Sequence, residues 1–371
     1  MRALVTGGAG FIGSHLTDRL LGEGSEVRVL DSLEPQVHEG QERHLSLDAE
    51  LIRADVRDRD AVRRALRGID RVVHLAAAVG VGQSMYEIEH YVSVNVVGTA
   101  VLLEEAANAA DTIEKLVVPS SMTVYGEGLY HCPEEDAEVV GEPRTEAQLA
   151  ERRWDLLCPS CGAELERHHT HEAIRLAPHS VYAITKRDQE ELTLAWGRAY
   201  GVPATALRLF SVYGPRQALS NPYTGVAAIF AARLLNGKAP IIYEDGRQSR
   251  DFVHVSDAVA AIRAALEPGS ADGRAVNVGT GRAVSVLEVS AALSAALGSD
   301  VEPDVRQTYR AGDIRHCYAD IQLARALLGY EPHVPFEEGM GEFVEWLDGR
   351  SPADRTDEAM AALETRGLTS S

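Results

Sequence analysis

Residues 6–13 of this 371-residue chain read TGGAGFIG, and they decide the fold. They come directly after a short apolar run at residues 3–5 and open a stretch with helical spacing that ends near Gly24. Gly7 permits a tight turn, Gly10 lets the backbone approach a pyrophosphate, and Gly13 lets the helix pack against the strand. A helix N-terminus has free N–H groups, which favour a negatively charged ligand. This order of strand, glycine-rich turn and helix predicts a dinucleotide-binding loop.

The chain beyond this loop alternates strand and helix patterns. Short apolar runs such as EVRVLD, DRVVHLAAA and KLVVPSS alternate with helical stretches such as VNVVGTAVLLEEAANAA. This order predicts an α/β fold built on a Rossmann-type doubly wound parallel sheet, with ligands at the carboxyl ends of the strands. We expect a smaller C-terminal α/β domain that binds a substrate and covers the open end of the sheet.

The regular pattern also divides the chain. It stops at about residue 127 and resumes at about 178, and because an ordered loop of that length is uncommon, we interpret 127–178 as an insertion. The first domain, 1–215, carries this insertion. Residues 216–350 form mainly the second domain, with some segments returning to the first. Residues 351–371 are polar, and we expect a frayed tail.

Composition and charge exclude several classes of protein. The formal net charge is −20, and a surface this acidic repels phosphate backbones, so we expect no nucleic-acid partner. No apolar run reaches the roughly 18–20 residues that span a bilayer, and we expect no membrane partner. The N-terminus lacks the pattern of a signal peptide, and four cysteines are too few for a disulfide framework. These features predict a cytoplasmic protein with reduced thiols.

Asp31 ends the second predicted strand, eighteen residues after Gly13. A carboxylate there hydrogen-bonds the ribose hydroxyls of adenosine and repels a 2′-phosphate, so it favours NAD over NADP. The alternative is a solvated aspartate in a turn. Asp55 and Val56 follow the third strand and are expected to flank the adenine. Asn95 in an otherwise apolar helix is either a core amide or a structural contact near the cofactor.

A second group of polar residues predicts catalysis. Ser121 lies in PSSMTVYG, and Tyr182 and Lys186 in YAITK are four residues apart, so they share one face of a helix. A tyrosine with a pKa of about 10 is a poor base at neutral pH, but an ammonium one turn away and an oxidised nicotinamide are expected to lower that pKa. The pair could then take a proton from a sugar hydroxyl while hydride leaves the same carbon, with Ser121 holding the oxygen. The alternative is an ordinary surface pair on a helix.

Six motifs together resemble the extended short-chain dehydrogenases/reductases, in their NAD-dependent nucleotide-sugar epimerase/dehydratase branch. They are TGGAGFIG, PSSMTVYG, YAITK, RLFSVYGPRQ, RDFVHVSD and AGDIRH, and they run from residue 3 to about 320. The resemblance implies a tightly held NAD, a nucleoside-diphosphate sugar as substrate and a homodimer. The insertion and NPYTGVAAIFAARLLNG look most like the dTDP-L-rhamnose 4-epimerase group, with UDP-hexose 4-epimerases as the nearest alternative. The predicted cofactor-binding residues are Gly7, Gly10, Phe11, Ile12, Gly13, Asp31, Ser32, Asp55, Val56, Leu75, Ala76, Ala77, Asn95, Tyr182, Lys186 and Phe210.

The residues after Ser121 indicate which reaction to expect. Family members with 4,6-dehydratase activity place Asp-Glu there, whereas this chain has Met122 and Thr123, neither of which transfers protons at neutral pH. Elimination is therefore disfavoured, and 4-epimerisation through a transient 4-keto sugar is expected. The alternatives are a UDP-glucose or UDP-N-acetylglucosamine 4-epimerase, a 4-ketoreductase, a 4,6-dehydratase and a non-catalytic NAD-sensing protein.

The resemblance also assigns substrate contacts. Arg250 in SRDFVH and Arg310 in RAGDIRH match the arginines that hold the diphosphate, a role that suits the guanidinium fork; either could instead be a surface ion-pair residue. Ser211 stands where the family usually has asparagine. Cys317 aligns with a gate beside the sugar, and a buried structural cysteine is the alternative. The predicted substrate residues are Ser121, Thr123, Ser211, Arg216, Tyr243, Arg250, Arg310 and Cys317.

The insertion contains CPSCGAELERHHTH at residues 158–171, which is typical of one half of a zinc site. Cys158 and Cys161 form one pair, and Cys132 in YHCPEE looks like the remnant of another. The predicted reaction needs no metal, so we expect a structural zinc that orders the insertion. The alternative is a metal-free loop with reduced thiols. The fourth ligand is open between five residues, which are His131, Glu135, His168, His169 and His171.

Overall fold

The computed structural model describes residues 1–38, 44–310 and 312–369. The strands are β1 (Arg2–Thr6), β2 (Glu26–Asp31), β3 (Glu50–Arg53), β4 (Arg71–His74), β5 (Lys115–Ser121), β6 (Leu129–Cys132), β7 (Ala137–Val140), β8 (Glu166–Arg167), β9 (Ala204–Leu209), β10 (Ser211–Tyr213), β11 (Ile241–Ile242), β12 (Ser249–His254), β13 (Ala275–Val278), β14 (Ala283–Ser285), β15 (Asp304–Val305) and β16 (His316–Cys317).

The α-helices are α1 (Phe11–Gly22), α2 (Pro35–His38), α3 (Arg59–Ala65), α4 (Val81–Ser84), α5 (Ile88–Tyr91), α6 (Gly98–Ala107), α7 (Glu146–Ala150), α8 (Val181–Tyr200), α9 (Val226–Leu235), α10 (Val255–Ala265), α11 (Val286–Leu297), α12 (Gln322–Leu328), α13 (Phe336–Leu347) and α14 (Thr356–Glu364). A π-helical segment, Val92–Val97, joins α5 to α6, and a 3-10 turn, Met122–Tyr125, follows β5. None of the helices described is long and apolar enough to cross a membrane.

A parallel sheet of seven strands forms the first domain, in the order β13-β9-β5-β4-β1-β2-β3. Neighbouring residues of a strand face opposite sides, so Leu4 packs into the core on one face and Val5 into the core on the other. Helices α1, α10 and α12 cover the face of Val5, and α3, α6 and α8 cover the face of Leu4. The predicted α/β fold with a doubly wound parallel sheet is therefore confirmed.

The second unit is a small mixed sheet covered by helices. Strand β12 lies between β10, which is parallel to it, and β14, which is antiparallel. The first two residues of β12 also pair with β16, in parallel. Helices α9, α11 and α13 pack on this sheet around a core that includes Phe252, Phe336 and Phe343. Strand β13 and helices α10 and α12 lie between these elements in the chain but belong to the first domain, so the chain crosses between the units several times.

The insertion is an ordered subdomain. Strands β7, β6 and β8 form an antiparallel sheet whose small core contains Tyr130, Leu156 and Leu165. Ion pairs attach the subdomain to the second unit. Arg144 Nη1 lies 2.8 Å from Glu244 Oε1, and Arg315 Nε lies 2.9 Å from Asp155 Oδ1. These charges hold the insertion against the chain segments that carry the predicted substrate arginines.

The C-terminal segment differs from the expected frayed tail. Residues 356–364 form α14, and Ala359 and Leu363 are buried. Arg233 and Lys238 on the second unit pair with acidic side chains at the start of this segment, at 2.8 Å for Arg233 Nη1 to Asp357 Oδ1 and 2.9 Å for Lys238 Nζ to Asp354 Oδ2. The tail is thus anchored to the protein by apolar burial and by ion pairs.

Candidate active site

A cavity of about 700 Å³ opens at the carboxyl ends of the parallel strands, between the sheet and the second unit. It is large enough for an extended ligand with a cofactor beside it, and such a position is typical of ligand sites in open α/β sheets. Most of the predicted site residues line it. Those lining the cavity are Gly7, Gly10, Phe11, Ile12, Gly13, Asp31, Ser32, Asp55, Val56, Leu75, Ala76, Ala77, Ser121, Thr123, Tyr182, Lys186, Phe210, Ser211, Tyr243, Arg250 and Arg310.

The glycine-rich loop leaves no room for side chains. Gly7 has a φ of +70°, and a Cβ there would lie 2.7 Å from the backbone nitrogen of Ala76. A Cβ on Gly13 would lie 2.2 Å from the carbonyl oxygen of Gly7. Helix α1 begins at Phe11, directly after the loop, so its free N–H groups face the cavity edge. The loop has the close-packed form that a pyrophosphate cradle requires.

Asp31 is positioned by the backbone around it. Its side chain is buried, and its two oxygens accept hydrogen bonds from the N–H of Ala9 at 3.0 Å and of Leu33 at 2.9 Å. The carboxylate is therefore held at the end of β2, on the cavity wall. A carboxylate accepts more than one hydrogen bond at each oxygen, so it can still receive ribose hydroxyls, and its charge opposes a 2′-phosphate.

Asn95 does not line the cavity, which corrects its place among the cofactor-contacting residues. It is fully buried, and its amide joins two segments that do line it. Its Oδ1 accepts the N–H of Ala78 at 2.7 Å, and its Nδ2 donates to the carbonyl of Ala78 and to Thr185 Oγ1 at 2.9 Å. Asn95 thus ties the loop after β4 to helix α8, which carries Tyr182, and this is the structural contact that its position in the sequence suggested.

Helix α8 presents Tyr182 to the end of β5. Ser180 caps the helix by accepting the N–H of Ala183, and the N–H of Tyr182 donates to Ser84 Oγ at 3.0 Å. Ser121 at the end of β5 hydrogen-bonds the Tyr182 side chain. Thr123 donates its backbone N–H and its hydroxyl to Ser121 Oγ at 3.2 and 3.0 Å. The three hydroxyl groups form one chain that opens into the cavity.

Burial controls the protonation of this pair. It raises the pKa of Tyr182 to about 12, against the hydrogen bond with Ser121, which lowers it. Burial also lowers the pKa of Lys186 to about 7, although the Glu190 carboxylate opposes this change. Lys186 Nζ donates to Gln189 Oε1 at 2.7 Å. Burial therefore dominates in the protein by itself, and the lowering of the Tyr182 pKa by Lys186 together with an oxidised nicotinamide stays a prediction.

Two arginines on the cavity wall share one carboxylate. Arg310 Nη2 lies 2.8 Å from Asp313 Oδ2, and Arg250 Nη2 lies 3.4 Å from Asp313 Oδ1. The guanidinium of Arg310 stacks over Tyr243 at 4.7 Å from the ring centroid. Burial raises the pKa of Asp313, but Arg310 and Arg250 outweigh it and hold that pKa below its usual value. Asp313 therefore stays ionised and orients both arginines.

Two predicted substrate residues lie elsewhere. Arg216 forms an ion pair with Asp18 on α1, at 2.7 Å between Nη1 and Oδ2, so its charge is directed away from the cavity. Cys317 is fully buried in β16, with Sγ 3.8 Å from Thr170 Oγ1, and it does not line the cavity. Neither side chain lines the cavity, which corrects their assignment as residues of its wall.

The structure adds residues that sequence reasoning missed. Asp313 is the clearest, since AGDIRH places it three residues after Arg310, on the same turn. The C-terminal segment also contributes part of the wall, through Thr356, Ala359, Met360, Leu363 and Leu368. An apolar spacing at residues 359, 360 and 363 is the signal that could have indicated a packed helix there.

The three cysteines of the insertion lie together, outside the cavity wall. The Sγ atoms of Cys132, Cys158 and Cys161 are all within 4.8 Å of one another. None of the four histidines suggested as a fourth ligand belongs to this group in the part of the chain that the structure describes. Their polar contacts include Asp136 for His131, the carbonyl of His169 for His168, the carbonyl of Gly281 for His169 and Glu138 for His171.

Residues 3–279 match the NAD dependent epimerase/dehydratase family. This chain belongs to that family. A dTDP-L-rhamnose 4-epimerase of Burkholderia thailandensis is 37% identical over 354 residues, which cover 93% of this chain and 94% of the relative. The family assignment agrees with the resemblance found in the six motifs.

Solved structures are similar over nearly the whole chain. The UDP-glucose 4-epimerase of Thermotoga maritima, determined with UDP-glucose, has a TM-score of 0.76 at 32% identity and covers 94% of this chain and 98% of its own. The UDP-glucose 4-epimerase of Thermus thermophilus, determined as a complex with NAD, has a TM-score of 0.73 at 32% identity and covers 94% and 99%. The similarity supports NAD as the cofactor of this family member.

Proposed function

We propose that this protein is an NAD-dependent 4-epimerase of a nucleoside-diphosphate hexose, with a dTDP-L-rhamnose-type 6-deoxysugar as the favoured substrate. One observation carries the proposal. The Ser121–Tyr182 hydroxyl pair and two arginines, Arg250 and Arg310, which share the Asp313 carboxylate, line the same cavity. Such an arrangement suits a substrate with a sugar at one end and a diphosphate further along.

The residues that would hold NAD are those of the glycine-rich loop, Asp31 and the small residues after β4. The fit is supported by the loop, in which a Cβ at Gly7 or Gly13 would collide with backbone atoms. NAD, when bound, would supply the hydride acceptor for the reaction. Asp31 selects NAD rather than NADP, because its carboxylate would face the 2′-phosphate.

The protein's own side chains manage the proton. Tyr182 accepts the proton of the sugar 4-hydroxyl at its phenolate oxygen and gives it back when the sugar is reduced again. Ser121 hydrogen-bonds the same sugar oxygen, and Thr123 keeps Ser121 Oγ in place. Lys186, when charged, favours the phenolate form and opposes the effect of burial on the pKa of Tyr182.

The reaction also requires the sugar to turn while the diphosphate stays fixed. Arg250 and Arg310 supply guanidinium forks that suit phosphate oxygens, and Asp313 orients both. At the sugar end, Met122 and Thr123 next to Ser121 have no carboxyl group. They cannot remove a proton from carbon 5, which argues against a 4,6-dehydratase.

The choice of sugar rests on the relatives. The similarity to the dTDP-L-rhamnose 4-epimerase of Burkholderia thailandensis supports a dTDP-6-deoxyhexose as the substrate of this protein. A UDP-hexose 4-epimerase is the second candidate, and the similarity to the Thermotoga maritima enzyme supports it. Cys317 does not help to separate them, because it is fully buried and does not line the cavity.

A panel of sugar nucleotides tests the proposal. The purified protein, without added cofactor, is incubated with dTDP-, UDP- and GDP-hexoses, and the configuration at C4 is read by NMR. We expect interconversion of dTDP-L-rhamnose and its C4 epimer from either side, with no net formation of NADH. Turnover of UDP-hexoses alone would favour the second candidate. A stable 4-keto-6-deoxy product would indicate a dehydratase instead of an epimerase. A need for stoichiometric NADH would indicate a reductase. No turnover of any substrate would favour an NAD-sensing protein.

We also propose a homodimer and a cytoplasmic location. The dimer is supported by exposed apolar side chains on neighbouring helical segments, Val92, Val97, Ile184 and Leu192. The location rests on the sequence-based prediction of reduced thiols, and all four cysteines are free in the structure.

A further inference from the structure

The insertion brings its three cysteines together through two turns. Cys132 ends β6, and the chain returns into β7 through Asp136, which has a φ of 47°. Cys158 and Cys161 belong to a second turn, which is closed by a hydrogen bond from the N–H of Cys158 to the carbonyl of Ala163 at 2.7 Å. The two turns face each other, and each presents sulfur atoms to the space between them.

The Cys158–Cys161 turn has the form of a metal-binding knuckle. The N–H of Gly162 donates to the carbonyl of Cys158 at 2.9 Å, and Gly162 has a φ of +76°, which favours glycine. The backbone N–H groups of Ser160 and Cys161 hydrogen-bond to the sulfur of Cys158. Backbone donors around a thiolate are the kind of surrounding contacts that orient metal ligands.

The distances fit a tetrahedral metal ion. A tetrahedron of Zn–S bonds of about 2.3 Å has edges of about 3.8 Å. The Sγ atoms of Cys132 and Cys161 are 3.5 Å apart, and all three sulfurs lie within 4.8 Å of one another. Cys132 and Cys158 are buried, whereas Cys161 is exposed at the outer side of the group. Three sulfurs so close together would share one ion with little movement.

Glu135 is the candidate fourth ligand beside the three cysteines, although its carboxylate does not lie within 4.8 Å of all three sulfurs. It lies in the β6–β7 turn, three residues after Cys132, where a second knuckle would have its second cysteine. Its Oε2 is 3.8 Å from Cys158 Sγ, again near the edge length of a tetrahedral site. Carboxylate oxygens bind zinc at about 2.0–2.2 Å, so a glutamate can serve as the fourth ligand.

Other roles for these thiols fit less well. None of the three cysteines is on the cavity wall, so they do not act on the substrate of the proposed reaction. A disulfide between Cys132 and Cys161 would leave Cys158 alone in the small core with Tyr130 and Leu156. Among the common divalent ions of cells, thiolate sulfur favours zinc. Zinc also adopts tetrahedral geometry and undergoes no redox chemistry.

We propose that the insertion binds one structural zinc ion through Cys132, Cys158 and Cys161, with Glu135 as the fourth ligand. The ion would fasten the two turns of a subdomain whose own apolar core is small, a situation in which small folds commonly depend on a metal. Through Arg144 and Asp155 the same subdomain contacts the second unit.

Metal analysis of untagged protein provides the first test. We expect about one zinc ion per chain after gel filtration, and loss of that zinc in Cys161→Ser, chosen because Cys161 is exposed and the variant should fold. Cys317→Ser is the matched control: it removes the one cysteine outside the group and should keep the zinc. A zinc-free protein that also fails to take up zinc after reduction, an iron-containing protein, or a Cys132–Cys161 disulfide found by thiol counting would overturn the proposal.

Cobalt substitution tests the ligand set independently of folding. Reduced, metal-free wild-type protein titrated with Co²⁺ should show the visible absorption of a tetrahedral thiolate site and the charge-transfer bands of bound sulfur. Glu135→Gln should keep the sulfur bands and weaken the affinity for zinc in competition with a chelator, whereas Glu135→Cys should strengthen it. Octahedral cobalt spectra, or equal zinc affinities in all three proteins, would contradict the assigned ligands.

Discussion

Tyr182 is the residue on which the proposed proton transfer depends. It lies half-buried at the start of α8 and hydrogen-bonds Ser121. Tyr182→Phe removes the acceptor oxygen and leaves the packing of the ring. We expect kcat to fall by about 10²–10⁴-fold, the usual contribution of a general acid–base group, while NAD remains bound. Tyr200→Phe, on the same helix but 54% exposed, is the matched control and should keep full activity. Near-normal turnover of the Tyr182 variant would remove it from catalysis.

Arg310 offers a cleaner test of the diphosphate grip than Arg250. Arg250 also donates to the backbone carbonyls of Ser249, Ile314 and Arg315, so its loss would disturb the fold as well. Arg310→Ala should raise the KM for the sugar nucleotide by about 10- to 100-fold, since a charge-assisted hydrogen bond contributes about 1.5–3 kcal/mol. The amount of NAD that stays bound to the purified variant should equal that of the wild type. Arg306→Ala, whose partner is the nearby Asp304, serves as the control. An unchanged KM in the Arg310 variant would exclude this residue from the substrate site.

His74 gives a prediction about pH. It is fully buried between Thr6 Oγ1 at 2.7 Å and Thr99 Oγ1 at 2.8 Å, and burial lowers its pKa to about 3. The unfolded chain binds a proton near pH 6.5 and the folded protein does not, so the contribution of His74 to stability is complete above about pH 6.5 and declines as the pH falls towards 3.

The comparison with His74→Gln isolates this effect, because the buried carboxyl groups are the same in both proteins. The free energy of unfolding, measured in urea from pH 7 to pH 5, should fall with decreasing pH more steeply in the wild type than in the variant. A difference of one bound proton between the unfolded and the folded state changes the free energy of unfolding by about 1.4 kcal/mol per pH unit. Parallel curves for the two proteins would mean that His74 is protonated in the folded state.

Single residues also mark the limit of inference from the sequence. The glycines and Asp31 could be predicted because their roles are set by local backbone geometry and by the position of a strand end. Arg216 and Cys317 could not, because the direction of a side chain depends on partners far away in the chain, Asp18 and Thr170. Asn95 was identified as unusual because a buried amide needs partners, but only the fold reveals them.

Among the elements, α14 is the one whose role was least visible in the sequence. Its Leu363 and Met360 line the cavity, and Arg366 beyond it stacks over Tyr86 of the first domain, 4.2 Å from the ring centroid. Asp354 and Asp357 anchor its start to the second unit. The segment therefore bridges both units over the cavity, although its polar composition suggested a free tail.

Removal of residues 352–371 should widen the cavity mouth. We expect a higher KM for the sugar nucleotide and faster exchange of bound NAD, with a smaller effect on kcat because Tyr182 is untouched. The double variant Asp354→Asn/Asp357→Asn is the milder counterpart; it weakens the anchor and should shift KM in the same direction. Both KM values are measured at saturating NAD. If neither variant changes KM or the rate of NAD exchange, the segment has no part in closing the site.

At the scale of the whole molecule, buried charges connect the parts that the sequence describes separately. Glu127 accepts the backbone N–H of Arg315 at 2.6 Å, and Arg144 donates to the carbonyl of Asp313, the residue that orients the two arginines. Burial raises the pKa of Glu127 to about 7, against the charge of Arg144. No periodicity indicates such contacts, since they join residues up to 188 positions apart. The doubly wound sheet could be predicted from local patterns, whereas this network could not.

The assembly of two copies is the last prediction. Val97 at the end of the π-helical segment and Leu192 on α8 are 48% and 39% exposed, and the hydrogen bond between Asn95 and Thr185 shows that these segments lie side by side. A stable dimer buries about 800 Å² on each partner, which two helices can supply. We expect a dimer by analytical ultracentrifugation at micromolar concentration, and a monomer for Val97→Asp/Leu192→Asp, because a dimer would bury unpaired charges. Leu47→Asp, at a fully exposed leucine in a loop, should remain dimeric. A monomeric wild type would contradict the dimer, and a dimeric double variant would place the interface on another surface.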